Sequence, residues 1–126
     1  MFIEFNPNPL KRRVGDCAVR AVAKALDIDW ESAFAELAAS AYQMGDMPSA
    51  NSVLAAVLRK HGFYREMIPN TCPDCYTASD FCRDHPYGTY VLCFSGHVCT
   101  CQDGAVYDSW NSENEIPLFY WYRKER

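Results

Sequence analysis

Three residues of this 126-residue chain, Cys17, His97 and Asp108, have the types and settings of a nucleophile, a base and a group that orients the base. Cys17 lies in Val14-Gly15-Asp16-Cys17-Ala18-Val19-Arg20-Ala21, which reads as a turn feeding a helix. Gly15 permits a sharp bend there, and Asp16 is placed to cap the helix. A thiol in the first helical turn meets unpaired backbone N–H groups and the positive end of the macrodipole. Both favour the thiolate, the nucleophilic form of cysteine. His97 opens a segment in which His97 to Gln102 and Ala105 to Asp108 read as strands joined at Asp103-Gly104, a strong hairpin signal.

The register of that hairpin decides whether the histidine and the aspartate can meet. With Asp103-Gly104 as a two-residue turn, Gln102 faces Ala105, Cys101 faces Val106 and Cys99 faces Asp108. Strand side chains alternate with period two, so His97 shares a face with Cys99. His97 and Asp108 then lie diagonally on one face, roughly 7 Å apart at the backbone. A carboxylate there can orient the imidazole, and the imidazole can take a proton from Cys17. Asn111 is the other candidate orienter, but it has the wrong strand parity.

Gly-Asp-Cys at a helix start, Gly-His-Val on a strand and Asp-Ser-Trp after the next strand resemble the papain-like cysteine peptidase superfamily. The order Cys, His, Asp agrees with it. At this length the likeness is to the compact members: bacteriocin-leader peptidases, Josephin-type deubiquitinases and small bacterial or phage papain-like proteins. The resemblance spans Gly15 to Trp110 and implies a single papain-like domain over residues 1–126, with N-terminal helices packed on a C-terminal antiparallel β-sheet. It implies Cys17, His97 and Asp108 as the catalytic residues and a peptide or protein as the substrate. The family's usual Gln several residues before the cysteine, which completes the oxyanion hole, is absent: the only glutamines are Gln43 and Gln102. Asn6 or Asn8 could replace it, or a cation such as Lys11. Losing such a donor typically lowers the rate ~100–1000-fold.

The composition, 49% hydrophobic and 22% charged with a net charge of −4, is that of an ordinary globular domain with a real core. Lys11-Arg12-Arg13 and Arg123-Lys124-Glu125-Arg126 are too short for a nucleic-acid face and read as solvated ends. No stretch approaches ~18 consecutive apolar residues, and the first residues lack a signal peptide's apolar core. No membrane or nucleic-acid partner is therefore expected. Seven cysteines without a secretion signal point to a cytoplasmic protein whose thiols stay reduced.

The elements that must position the triad follow from periodicity. An edge strand over Phe2–Phe5 precedes a helix from Cys17 to Asp27 with Ala18, Val19, Val22 and Leu26 inward and Arg20, Lys24 and Asp27 on a wetter side. Asp29 caps a second helix, in which Trp30, Ala33, Phe34, Leu37, Ala38 and Ala41 follow the helical rhythm and Gly45 stops it. A third helix, capped by Ser49, buries Val53, Leu54, Val57 and Leu58 before Gly62. A strand over Phe63–Ile68, a short helix from Thr77 to Asp84, and strands over 89–95, 97–102, 105–108 and 118–123 complete an α+β order. The Met44–Pro48 loop either lines the cleft or simply joins helices.

Other residues have plainer readings. Cys72-Pro73-Asp74-Cys75 has zinc-knuckle spacing, with Cys82, His85, Cys99 and Cys101 downstream. A closed site needs four converging ligands, however. Cys99 and Cys101 should point with His97 into the sheet–helix interface, and Cys82 falls in a helix. No metal and no cofactor are therefore expected. His61 suits a helix end, and His85 has no evident partner. The aromatic run Leu118–Tyr122 suits a strand covered on both faces, or an exposed gripping face. Trp110 should shield the His97–Asp108 contact. The functional expectation is a peptidase or related amide or isopeptide hydrolase, or an acyl transferase by the same chemistry. The alternatives are a non-catalytic peptide-binding protein on the same scaffold and a small zinc-binding module.

Overall fold

The computed structural model describes residues 1–68 and 76–123. Along the chain the elements are β1 (Phe2–Glu4), α1 (Cys17–Leu26), α2 (Trp30–Met44), α3 (Asn51–Lys60), β2 (Phe63–Met67), α4 (Ala78–Asp84), β3 (Thr89–Phe94), β4 (His97–Gln102), β5 (Ala105–Asp108) and β6 (Phe119–Arg123). Several boundaries have the local causes read from the sequence. Asp29 accepts from the Ser32 N–H at 2.8 Å to start α2, and Gly45 closes it in the left-handed region at φ 67°. Thr77 and Asp80 cap each other's backbone at the start of α4. Two caps differ from expectation. Asp16 occupies the N-cap position of α1 but makes no side-chain cap, and Ala50 rather than Ser49 takes that position for α3.

The six strands form one sheet in the order β1-β5-β4-β3-β6-β2. It is mixed rather than antiparallel as expected, because edge strand β1 runs parallel to β5. These two strands are joined through the whole helical layer, and parallel neighbours need such a crossover. The β4–β5 hairpin has the register set by its turn, pairing Cys101 with Val106 and Gln102 with Ala105. Asp103 and Gly104 both take positive φ, as a tight twisted hairpin turn requires.

Helices cover both faces of the sheet. On one side α1, α2 and α3 bury Val91, Cys93, Val98 and Trp121. Helix α1 is the innermost of these layers, and its small residues Ala21, Ala23 and Ala25 let it fit between the sheet and α2. Thr100 on β4 donates to the Ala21 carbonyl at 2.8 Å across that contact. Arg20 is buried at 6% exposure, which corrects its placement on a wetter side, while Lys24 on that side is half-buried.

On the opposite side α4 packs Phe81 and Cys82 against Leu92, Phe94, Cys99, Cys101 and Val106. Cys99 and Cys101 thus face α4, not the α1 interface. Cys101 is joined to Cys82 as a disulfide, which corrects the expectation that every cysteine stays a thiol. Strand β6 lies inside the sheet and is covered on both faces, Trp121 in the α1–α3 core and Tyr120 against Phe81. No helix among the described residues is long and apolar enough to cross a membrane.

Candidate active site

Cys17 is the first residue of α1 and His97 the first of β4, so both stand at the edge of the layers where α1 meets the sheet. Gly96, at φ 75°, turns the chain immediately before His97. Asp108 ends β5 and is buried at 1% exposure. The hairpin register brings the last two together: His97 Nε2 lies 2.6 Å from Asp108 Oδ2. A carboxylate can only accept, so Nε2 carries the proton and Nδ1 is the nitrogen left for Cys17. The thiol lines one small cavity with His97 and Val98, and both favour its ionised form.

Asp108 is held by four donors. Oδ2 also accepts from Ser112 Oγ at 2.7 Å, while Oδ1 accepts from the Ser109 N–H at 2.8 Å and from Arg20 Nη2 at 3.2 Å. Arg20 pairs at its other side with Asp16, whose second oxygen accepts from Trp30 Nε1 at 2.9 Å. That engagement explains the missing cap of α1. The Asp16 carboxylate is turned into the core, and the helix start is tied through Arg20 to the end of β5.

The electrostatics follow from these contacts. Burial alone would raise the Asp108 carboxyl, but the bonds from His97 and Ser112 outweigh it and hold the group below the usual carboxylate range. Burial likewise disfavours the His97 imidazolium, yet its bonds to Asp108 and Cys17 and their negative charges raise it to about 9. For Cys17, burial opposes ionisation. The His97 bond, the Val98 backbone and the positive charges of His97 and Arg20 together lower it below an ordinary thiol. The arrangement therefore shifts the balance towards a thiolate–imidazolium pair. The other free thiols behave oppositely: burial pushes Cys93 up to about 12 and raises Cys99 further. The Trp110 ring lies 4.9 Å from that of His97 and Phe94 lies 5.9 Å away, so two aromatics flank the imidazole.

A cavity of about 130 Å³ opens beside Cys17 and His97, lined also by Ala18, Ser49, Asn51, Leu54, Gly96 and Val98. Neither Asn8 nor Lys11 lines it. The buried Asn8 accepts through Oδ1 from the Leu10 and Arg12 N–H groups of its own loop, and Lys11 Nζ is held at the Asn6 carbonyl. The Asn6 carboxamide likewise donates to the Arg12 carbonyl. Asn111 is exposed and accepts from the Glu113 N–H, so it takes no part at His97. Four residues of the site were not read from the sequence. Ser49 reaches it from the α2–α3 loop and Asn51 from the first position of α3. Arg20 and Ser112 reach it through Asp108. Of these, only the Asp16–Arg20 spacing, a favourable i,i+4 pair, gave a signal in advance.

Cys72 and Cys75, which have zinc-knuckle spacing but are expected to bind no metal, lie outside the described residues. Of their candidate partners, Cys82 and Cys101 are joined to each other, Cys99 is buried, and His85 Nδ1 donates to the Phe81 carbonyl at 2.9 Å. Among the described residues no group of three or more His, Cys, Asp or Glu side chains is arranged to hold a metal. Compared with known proteins, the chain matches no family model, no curated protein and no solved structure.

Proposed function

We propose that this protein is a cysteine-nucleophile hydrolase of papain-like type, cleaving a peptide, isopeptide or related amide bond. The observation that carries the reading is the helix-start thiol of Cys17 sharing one cavity with His97, whose imidazole is bonded to the fully buried, four-donor carboxylate of Asp108. The Cys17 thiolate attacks the carbonyl carbon, forming a C–S bond and a tetrahedral oxyanion. As that collapses, the C–N bond breaks and His97 Nδ1 gives its proton to the leaving amine. Water then attacks the thioester, His97 takes its proton, and the C–S bond breaks to release acid and thiolate. Asp108 holds the ring so that Nδ1 faces the sulfur and stabilises the imidazolium. The Cys17 N–H, at the first helical position, has no acceptor within the helix and is one oxyanion donor. Ser49 and Asn51, which line the same cavity, carry side-chain donors that can serve beside it.

A second reading, a non-catalytic peptide-binding protein on the same scaffold, is favoured by one observation: neither Asn8 nor Lys11 reaches the cavity. Profiling on a panel of quenched peptides and ubiquitin-like conjugates, with Cys17→Ala as the blank, separates the two. Cysteine-dependent turnover supports the hydrolase. Binding without turnover supports the second reading.

A further inference from the structure

The Cys17 cavity shares lining residues with two larger hollows, as the arms of one groove would. Ala18 and Ser49 line both that cavity and an apolar hollow of about 310 Å³ on one side. Asn51 and Leu54 line both it and a hollow of about 380 Å³ on the other. The two arms have opposite chemistry.

The first arm is walled by Val14, Val19, Trp30, Phe34 and Pro48. Trp30 and Phe34 stack with ring centroids 5.1 Å apart, yet Phe34 is 43% exposed. On the same helix Ala33, Leu37 and Ala41 are buried and Trp30 packs against the core, so Phe34 extends that apolar wall outward into the hollow.

The second arm carries Arg59 and Arg65 over an aromatic floor. The Arg59 guanidinium lies 5.2 Å from the Trp121 ring centre and that of Arg65 lies 5.0 Å from Phe119. Stacking fixes a guanidinium by its face and leaves its N–H edge to donate. Among the described residues neither arginine is in an ion pair. The Asp46 carboxylate, held ionised by bonds from Ser52 Oγ at 2.7 Å and the Met47 N–H at 2.8 Å, pairs with neither of them. In a chain of net charge −4, two such cations in one groove make a local positive field suited to a carboxylate.

We propose that this groove selects polypeptide segments bearing an apolar side chain on one side of the reacting carbonyl and a carboxylate on the other. The inference rests on the hydrolase reading for the carbonyl but not for the selection itself, which binding alone can test. The probes are short peptides on a Gly-Ala frame with one Phe and one Glu at varied separations, and matched peptides carrying Lys for Glu or Ala for Phe. Quenched versions report kcat/KM on the wild-type chain, and fluorescein-labelled versions report Kd on Cys17→Ala.

The best Phe–Glu spacing should exceed its Lys counterpart at least about tenfold in both readouts, the scale of one charge-assisted contact. Arg59→Glu with Arg65→Glu should reverse that order. Arg59→Gln with Arg65→Gln, checked for folding by circular dichroism, should level it. Turnover without any Glu-over-Lys preference overturns the groove assignment and leaves the hydrolase standing. Glu-selective binding without turnover does the reverse. Absence of binding to any peptide overturns the groove assignment as well.

Discussion

Replacing Arg20 with Met should destabilise the protein severely, although the side chain lies on a helix and lines none of the three cavities described above. Its guanidinium is 7% exposed and bridges two carboxylates, those of Asp16 at 5% and Asp108 at 0%. Methionine fills much of the same volume, so the loss is electrostatic: two buried anions keep only neutral donors and His97. Removing one partner of a buried ion pair typically costs ~3–5 kcal/mol. A solvated arginine would change stability by no more than about 0.5 kcal/mol. At this chain length the larger figure lowers Tm by roughly 10–20 °C. Urea unfolding followed by circular dichroism gives the free energy. Asp16→Asn combined with Arg20→Met should recover part of the loss, because one of the stranded anions is gone. A loss under about 1 kcal/mol for Arg20→Met alone would refute the network's role in tying α1 to β5.

Three further outcomes follow. Asp108→Asn should lower kcat/KM roughly 10²–10⁴-fold with little change in fold. All four partners of Asp108 are donors, and an asparagine must turn its own NH₂ towards one pair of them. The pH profile of kcat/KM on any cleaved peptide should be bell-shaped. Its acid limb lies below the ordinary thiol range as Cys17 loses its proton, and its alkaline limb lies near 9, where His97 ceases to be protonated and can no longer serve as acid. Peptide mapping without reductant should find Cys82 linked to Cys101 and Cys93 and Cys99 free.

The parts of the site that were legible in the sequence are those fixed locally. Asp103-Gly104 sets the β4–β5 register, and the register alone places His97 against Asp108. The helix start at Cys17 follows from the glycine turn and the apolar spacing after it. What escaped depends on layers stacking. An amphipathic reading of α1 assumes one wet face, but its alanines let it sit between sheet and α2, so Arg20 was misplaced. Period-two alternation puts Cys99 and Cys101 on the histidine's face of β4 without saying which helix covers that face. Only the packing of α4 there reveals it. The course of the loops before Cys17 and before α3 decides which donors reach the cavity. Loop side chains such as Asn8 satisfy their own backbone first.

The most direct measurement is the rate of Cys17 alkylation by iodoacetamide across pH 5 to 10, read by peptide mass spectrometry beside Cys93 and Cys99 in one sample. The account predicts that Cys17 is labelled far faster than the two buried thiols at neutral pH. Its rate should begin to rise well below the free-thiol value of ~8.5, and His97→Ala should move that rise upward and remove the advantage. A Cys17 that titrates like a free thiol, or a profile that His97→Ala leaves unchanged, would contradict the thiolate–imidazolium pair and the hydrolase built on it.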